Sequence, residues 1–157
     1  MTNKSIIIYY TESGNTKTIA ELIQKQTKSD ICEIKTQKPY PQEYRELLQQ
    51  AQKEINENYK PPIQKINFDI TQYTRIYIGT PVWWGTYAPP LTSFLSENNL
   101  NGKEIVPFIT HGGGGKGRTD SELKKLCNES IFLNPLVVSG TGGSNIENII
   151  KDWLNNI

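Results

Sequence analysis

Residues 5–22 read SIIIYYTESGNTKTIAEL and contain, in order, an apolar run, a polar turn and the start of a helix. The run from Ile6 to Tyr10 is rich in β-branched and aromatic side chains, which is typical of a parallel strand covered on both faces. Apolar residues then recur at helical spacing from Ile19 to Ile23, so we expect a helix from about Thr16. The stretch therefore predicts a buried strand, a short turn and a helix.

The turn between this strand and this helix is rich in hydrogen-bonding groups. The first N–H groups of a helix have no partner within the helix, and the helix dipole adds partial positive charge there. The turn, residues 11–16, adds three hydroxyls, one amide and a glycine at that point, in Thr11, Ser13, Thr16, Asn15 and Gly14, and it also contains Glu12. We expect an anion site, most naturally for a phosphate. An ordinary N-cap is the alternative, because Ser, Thr and Asn favour that position without a ligand.

The composition sets broad limits on the class of protein. The chain has 157 residues and a formal net charge of +1, from 17 basic and 16 acidic residues. We expect a single domain over residues 1–157, which is long enough for a substantial core. The near-zero net charge gives no reason to expect a nucleic acid or an anionic membrane as partner. No apolar run approaches the ~20 residues of a membrane span.

The cysteines and the N-terminus indicate the compartment. Cys32 and Cys127 stand in no metal or redox spacing. We expect both to be free thiols in a reducing cytoplasm, with a single disulfide as the alternative. The N-terminus lacks a basic segment followed by a long apolar core, so it does not resemble a secretory signal. The sequence therefore predicts a cytoplasmic protein, and it contains no metal-ligand motif.

Strands and helices alternate along the rest of the chain. Further strands are expected at residues 31–35, 76–81, 105–110 and 132–139. Pro81 should end the third strand because proline cannot donate to a ladder, and Asn134–Pro135 should interrupt the fifth. Helices are expected from Pro90 to Ser96, from Thr119 to Cys127 and from Ser144 onward. The inner face of the last helix should carry Ile146, Ile149, Ile150, Trp153 and Leu154. This alternation predicts an α/β fold with a parallel sheet and helices on both faces.

Residues 38–62 differ from the rest of the chain in composition. Prolines precede and close a polar, Gln- and Glu-rich segment that should be helical from about residue 43 to residue 58. Its apolar residues form a narrow stripe, made of Tyr44, Leu47, Leu48, Ala51 and Ile55. We expect a Pro-flanked helical insertion that lies on the surface across the domain, with a partner-docking face as the alternative.

Three loops should meet at one edge of the sheet. Ligands of parallel α/β sheets bind beyond the carboxyl ends of the strands, where the turns after the first, third and fourth strands lie together. These turns hold the phosphate turn, the segment VWWGTY at 82–87 and the glycine-rich loop at 111–117. Together they suit a flat, polar-edged ring with a phosphorylated tail. We expect at least one of Trp83 and Trp84 to be buried, while the other covers a ligand or packs over a helix.

The glycine-rich loop also matches two common nucleotide motifs in part. Residues 112–117 satisfy G-x-G-x-x-G after a strand, but a dinucleotide site needs an acidic residue about 20 positions later, and Ser139 and Gly140 stand there. A Walker loop needs Ser or Thr after its lysine, whereas Gly117 follows Lys116. Both motifs are therefore rejected.

The three loops resemble those of the flavodoxin-like family, and the resemblance covers essentially the whole chain. Residues 11–16 (TESGNT) fit that family's FMN phosphate loop, and residues 79–85 (GTPVWWG) and 110–113 (THGG) are similar to its two flavin-ring loops. The Pro-flanked helix before the third strand is similar to the short-flavodoxin subgroup. The resemblance implies a doubly wound, five-stranded parallel sheet of order 2-1-3-4-5, with FMN as the cofactor.

The resemblance also implies a site residue by residue. The phosphate would lie on donors of Thr11, Ser13, Gly14, Asn15 and Thr16. The ring would be bordered by Pro81, Val82, Trp83, Trp84, Gly85, Thr110, His111, Gly112 and Gly113. Trp84 is the first candidate for stacking on the ring, with Tyr87 or Trp83 next. Gly85 could turn its peptide to offer a carbonyl to a protonated flavin N5. His111 is either a ring contact and proton donor, hence a possible catalytic residue, or an ordinary loop residue.

Three functions remain open from the sequence. The first is an FMN-binding redox protein that passes electrons to a partner protein. The second is a small FMN-dependent NAD(P)H:quinone-type reductase with a quinone-like acceptor, and the third is a regulatory domain that holds FMN without turnover. We expect a monomer or weak homodimer. Carrier flavodoxins are typically strongly acidic, and this chain is not, so its net charge gives only weak steering toward a protein partner. Lys116 and Arg118, which flank the ring loop, could ease formation of the anionic reduced flavin.

Overall fold

The apolar run at the start of the chain forms the centre of the sheet. In the computed structural model, which describes residues 4–157, it is β1 (Ser5–Tyr9). β1 lies between two parallel neighbours, β2 (Asp30–Glu33) and β3 (Arg75–Trp83). Its isoleucines are completely buried because helices cover both faces of the sheet.

The other elements alternate as expected. The remaining strands are β4 (Thr86–Tyr87), β5 (Glu104–His111), β6 (Ile131–Phe132) and β7 (Leu136–Ser139). The helices are α1 (Asn15–Thr27), α2 (Tyr44–Asn56), α3 (Pro90–Glu97), α4 (Thr119–Leu126) and α5 (Ile146–Asn155), with a short 3₁₀ turn at Ile70–Gln72. Among the described residues, none of these helices has the length and apolar character needed to cross a membrane.

The strand order confirms a flavodoxin-like sheet. The parallel strands follow the order β2-β1-β3-β5, and both β6 and β7 then pair with β5. β6 and β7 are the two halves of the predicted fifth strand, separated at Asn134–Pro135 because proline has no N–H for the ladder. Counted as one strand, they give the predicted order 2-1-3-4-5, and β4 is a short antiparallel addition to β3.

The prediction that Pro81 ends the third strand is wrong, because β3 continues to Trp83. Pro81 is paired with Thr110 of β5, whereas the last pair between β1 and β3 joins Tyr9 to Gly79. The Gly79 carbonyl accepts a hydrogen bond from the N–H of Tyr10, and Pro81 faces the same side two residues later. Because β1 has ended there, the missing N–H of Pro81 removes no ladder hydrogen bond.

Both ends of β2, the start of α5 and one helix face also differ from expectation. β2 begins at Asp30 and ends at Glu33 instead of spanning residues 31–35, and α5 begins at Ile146 instead of Ser144. Ile149 is 42% exposed, so its predicted place on the inner face of α5 is wrong. Ile146 and Ile150, four residues apart, form the buried stripe, and Ile149 lies beside it.

Side-chain alternation along β1 divides the core into two clusters. Ile6 and Ile8 face the cluster that includes Phe94 of α3. Ile7 and Tyr9 face the opposite cluster, which α1 and α5 cover with the buried residues Ile19, Ala20, Ile23, Ile146 and Ile150. The strand period of two therefore supplies both layers from one short run, and the carboxyl edge of the sheet remains open for a ligand.

Candidate functional site

A cleft of about 520 Å³ opens at the carboxyl edge of the sheet. It is bordered by the turn after β1, the end of β3, the end of β5 and one face of α2. The residues that line it are Glu12, Ser13, Asn15, Tyr44, Leu47, Leu48, Ala51, Pro81, Val82, Trp83, Trp84, Thr110, His111 and Gly112. The structure thus brings the three predicted loops together at one site.

Five predicted site residues do not line the cleft. These residues are Thr11, Gly14, Thr16, Gly85 and Gly113. The structure gives several of them a hydrogen bond that holds one of the three loops in shape. The predicted site therefore divides into residues that border the cleft and residues that support its border.

The N-terminus of α1 is open to an anion. Gly14 stands at the N-cap with φ of 98°, a left-handed conformation that glycine adopts without a Cβ penalty, and among the described residues no side chain caps the helix. The N–H groups of Asn15, Thr16 and Lys17 likewise have no acceptor in residues 4–157. The ordinary N-cap interpretation therefore lacks its side-chain hydrogen bond, and the free N–H groups suit a phosphate.

Two hydroxyls in the phosphate turn are already engaged with the protein. The Thr11 hydroxyl accepts a hydrogen bond from the N–H of Gly14 at 3.1 Å, which leaves its own proton free to donate. Thr16 is buried, and its hydroxyl oxygen lies 2.8 Å from that of Thr110 at the end of β5. One hydroxyl of this pair donates to the other, so the pair keeps a single O–H for a ligand.

β3 and β4 are joined by a two-residue hairpin turn at Trp84 and Gly85. Both turn residues have positive φ, 51° for Trp84 and 76° for Gly85, as in the type I′ turns that fit the twist of paired strands. The carbonyl of Gly85 accepts a hydrogen bond from the N–H of Arg118 at 2.6 Å. Turning this carbonyl toward a ligand, as the sequence suggested, would break that bond.

The two tryptophans of this hairpin have different surroundings, and neither is buried, so the prediction that at least one of them is buried is wrong. Trp83 is half-buried and packs edge-on against Tyr10 and Tyr40, with ring centroids 5.6 and 5.1 Å away. Trp84 is 46% exposed, and its indole N–H donates to the carbonyl of Leu48 in α2 at 2.9 Å. Trp83 thus joins the hairpin to the core, and Trp84 joins it to α2.

Helix α2 is the part of the site that sequence reasoning missed. We expected a surface helix, yet its apolar stripe forms one wall of the cleft through Tyr44, Leu47, Leu48 and Ala51. Ala51 is buried, whereas Tyr44 is 68% exposed at the mouth. The narrow apolar stripe was the sequence signal for this wall, because a helix with four apolar residues on one face packs that face against another surface.

His111 organises the glycine-rich loop. Its Nδ1 accepts hydrogen bonds from the N–H of Gly113 at 3.0 Å and the N–H of Gly115 at 3.1 Å. An acceptor nitrogen carries no proton, so in this arrangement the neutral ring holds its proton on Nε2. The ring also lines the cleft. His111 therefore shapes the loop through one nitrogen and has a donor on the other.

The cations beside this loop are paired with carboxylates. Lys116 Nζ lies 2.8 Å from Asp120, and Arg118 Nε lies 3.6 Å from Glu122, each pair being one helical turn apart. Partial neutralisation reduces the field that either cation contributes at the cleft. Within residues 4–157, no cluster of three or more His, Cys, Asp or Glu side chains is arranged to hold a metal ion.

Solved structures with this architecture include several flavoproteins. A candidate flavoprotein of Bacteroides eggerthii superimposes with a TM-score of 0.88 at 25% identity, over 99% of this chain and 98% of that one. A flavoprotein of Lactobacillus acidophilus, solved in complex with FMN, superimposes with a TM-score of 0.79 at 25% identity, over 98% and 99%. Flavodoxin 2 of Bacillus cereus shares the fold alone, with a TM-score of 0.61 at 15% identity over 98% and 99%.

The sequence comparison identifies the family. A search of curated proteins gives no match. The family model described as Flavodoxin matches residues 4–157, which include all three loops of the cleft and the α2 segment. The chain therefore belongs to the flavodoxin family.

Proposed function

We propose that the chain binds FMN in the carboxyl-edge cleft and serves as a redox protein that passes electrons to a partner. The observation that carries the proposal is the set of free N–H groups of Asn15, Thr16 and Lys17 at the N-terminus of α1, where Asn15 lines the cleft. These groups, with the hydroxyls of Thr11 and Ser13, suit the FMN phosphate. The Lactobacillus acidophilus relative solved with FMN supports the same ligand.

The remaining walls suit a flat aromatic ring with polar edges. Leu47, Leu48 and Trp83 provide apolar surface that excludes water from one part of the cleft, and His111 and Thr110 provide polar groups at another. Bound FMN supplies reversible one-electron and two-electron redox chemistry. The protein residues then hold the phosphate, exclude water and place hydrogen-bond donors near the polar edge of the ring.

The donor set is large enough for tight binding. A hydrogen bond to a charged group contributes roughly 1.5–3 kcal/mol. Four or five such bonds at the phosphate support a dissociation constant of about 1 nM, near −12 kcal/mol, after the free-energy cost of association is subtracted. We expect FMN to remain bound through purification at micromolar protein concentrations.

A second candidate function is an FMN-dependent NAD(P)H:quinone-type reductase. Its supporting observation is His111, whose Nδ1 is bonded to the glycine loop and whose protonated Nε2 is available to an acceptor oxygen beside the cleft. The net charge of +1 also favours a small-molecule acceptor over a protein partner, because so small a charge gives only weak electrostatic steering toward a protein. A quinone-like small molecule would be the acceptor in this case. The proposed compartment for this function is the cytoplasm.

Stepwise redox titration of the FMN-loaded protein tests the proposal and separates these candidates. A carrier shows two resolved one-electron potentials and slow NAD(P)H oxidation. A reductase shows one two-electron step and rapid NAD(P)H oxidation when a quinone is added. Bound FMN that neither exchanges electrons with redox mediators nor supports turnover would contradict both functions and leave a domain that only holds FMN.

A further inference from the structure

Three aromatic rings, Tyr10, Tyr40 and Trp83, form a closed triangle beside α2, which we call the aromatic triad. Their centroids are 5.1 Å apart for Tyr40 and Trp83, 5.6 Å for Tyr10 and Trp83, and 6.2 Å for Tyr10 and Tyr40. All three pairs meet edge to face, at interplanar angles of 86°, 86° and 67°. Each ring therefore has direct contact with the other two.

The aromatic triad connects two separate clefts. Trp83 lines the carboxyl-edge cleft. Tyr40 lines a second cleft of about 530 Å³, which lies against another face of α2 and opens to solvent. Both tyrosines are almost fully buried, with 4% of Tyr10 and 6% of Tyr40 exposed. The triad is thus a continuous aromatic path from the proposed flavin site to a second surface.

Both tyrosines of the triad have a proton acceptor in place. The Tyr10 hydroxyl donates to Glu12 Oε2, and the Tyr40 hydroxyl donates to Glu54 Oε1, each at 2.6 Å. Glu54 is only 7% exposed, and its other oxygen accepts from Gln50 Nε2 at 2.9 Å, whereas Glu12 is exposed. Burial first, and then the carboxylate, raises the pKa of both phenols well above the ordinary value. Both phenols therefore keep their protons in the resting protein.

We propose that the aromatic triad is a relay for one-electron oxidising equivalents that enter at Trp83 and end on Tyr40. A one-electron oxidant in the carboxyl-edge cleft, such as a photoexcited flavin, removes one electron from the Trp83 indole. Tyr40 then returns one electron to Trp83, and its hydroxyl proton moves to Glu54 Oε1. The products are the reduced oxidant, neutral Trp83, a neutral tyrosyl radical and a protonated Glu54 carboxyl group.

Tyr40 is the end of the relay for two structural reasons. The ring centroid of Tyr40 lies closer to that of Trp83 than the ring centroid of Tyr10 does. The carboxylate partner of Tyr40, Glu54, is buried and held by Gln50. A proton that moves to Glu54 stays next to the phenol oxygen and can return when Tyr40 is reduced. Tyr40 also borders the second cleft, where a one-electron reductant of the ascorbate class has access from solvent.

Flash oxidation of the full chain without FMN tests the relay directly. Photogenerated ruthenium(III) tris(bipyridine) replaces the flavin as oxidant, and electron paramagnetic resonance detects the tyrosyl radical. The background variant is Tyr44→Phe/Tyr59→Phe, because these tyrosines are 68% and 46% exposed and react with the oxidant in solution. We expect a long-lived neutral tyrosyl radical whose formation slows in D₂O.

Three further substitutions locate the radical. We expect Tyr40→Phe to lower its yield by about tenfold, and Glu54→Gln to slow its formation by about tenfold and remove the D₂O effect. Trp83→Phe should lower the yield while keeping an aromatic ring in place. The matched control is Tyr73→Phe, because Tyr73 is also buried and also donates to a carboxylate, Asp30, but lies outside the triad.

The relay is overturned if Tyr40→Phe and Tyr73→Phe give the same radical yield. It is also overturned if Glu54→Gln lowers the thermal stability of the fold and leaves the rate of radical formation unchanged, because the phenol–carboxylate bond would then be structural only. If Tyr40→Phe does not fold, Glu54→Gln and Trp83→Phe still decide the outcome. The oxidant is external, so these results are independent of whether the chain binds FMN.

Discussion

The hydroxyl oxygens of Thr16 and Thr110 lie 2.8 Å apart in the interior, 94 positions apart in sequence. This hydrogen bond joins the first turn of α1 to the end of β5, and so fixes the phosphate turn relative to the glycine-rich loop. Thr16→Val keeps the shape of the side chain and removes its hydroxyl. We expect a loss of about 1 kcal/mol in the free energy of unfolding and about tenfold weaker FMN binding.

Urea unfolding and fluorescence titration with FMN measure the two effects. Thr18→Val is the control, because it removes an exposed hydroxyl that donates to Gly14 in the same turn. Thr110→Val should reproduce the effects of Thr16→Val, and the double variant should be little worse than either single one. Fully additive losses would show that the two hydroxyls act independently.

Gly117 packs against the backbone of the hairpin turn. A Cβ at this position would lie 2.5 Å from the carbonyl oxygen of Gly85. Gly115 also has positive φ, yet a Cβ there would meet nothing within 4 Å. Both substitutions to alanine carry the penalty of a left-handed residue, about 1 kcal/mol. We expect Gly117→Ala to lose a further 1–3 kcal/mol, roughly, through the steric clash.

Thermal unfolding of the two alanine variants measures this difference. We also expect Gly117→Ala to weaken FMN binding more than Gly115→Ala, because the clash displaces the hairpin that carries Trp83 and Trp84. Equal thermal stabilities of the two variants would mean that the glycine-rich loop moves away from the hairpin turn easily. The contact between Gly117 and Gly85 would then not shape the site.

The indole N–H of Trp84 ties the hairpin to α2 through the carbonyl of Leu48. Trp84→Phe keeps an aromatic ring and removes this donor. We expect α2 amides to exchange with D₂O faster and FMN to dissociate a few-fold faster, since the net value of one such bond is about 1 kcal/mol.

Trp153→Phe is a matched control for this substitution. The indole N–H of Trp153 also donates to a backbone carbonyl, that of Asn134, at the same 2.9 Å. Trp153 packs on the opposite core cluster, away from the cleft. A change in FMN dissociation that is equal in both variants would reflect general loosening of the fold and would contradict a role for the Trp84 contact.

His111 should hold its proton on Nε2 because Nδ1 accepts two backbone N–H bonds. Nitrogen-15 NMR of the neutral ring reports the tautomer directly. We expect His111→Asn, whose amide oxygen can replace Nδ1 as acceptor, to keep most of the amide protection at Gly113 and Gly115. His111→Ala should lose that protection. A neutral ring with its proton on Nδ1 would contradict the arrangement of the loop.

The sequence predicted the parallel strands, because each strand is a local apolar run followed by a helix, and the resemblance to the flavodoxin-like family implied their order. It also predicted that the loops of the phosphate turn, the Trp83–Trp84 segment and the glycine tract share one edge. The strands and the shared edge follow from short-range patterns combined with the geometry of a parallel sheet.

The rest depends on contacts between distant residues. Pro81 can be part of β3 because β1 ends before it, and the sequence around Pro81 does not show where β1 ends. The position of α2 depended on packing against the hairpin, 36 positions from Leu48 to Trp84. The engagement of the Gly85 carbonyl by Arg118 depended on the glycine loop folding back onto the hairpin.

Parallel titrations of the apoprotein with FMN and with riboflavin, which lacks the phosphate, test whether the N-terminus of α1 holds the FMN phosphate. If the free N–H groups of α1 hold the phosphate, FMN binds in a 1:1 complex at least about a hundredfold more tightly than riboflavin, a difference of about 2.7 kcal/mol. Equal affinity for the two flavins, or no saturable binding of FMN, would show that the N-terminus of α1 does not hold an FMN phosphate.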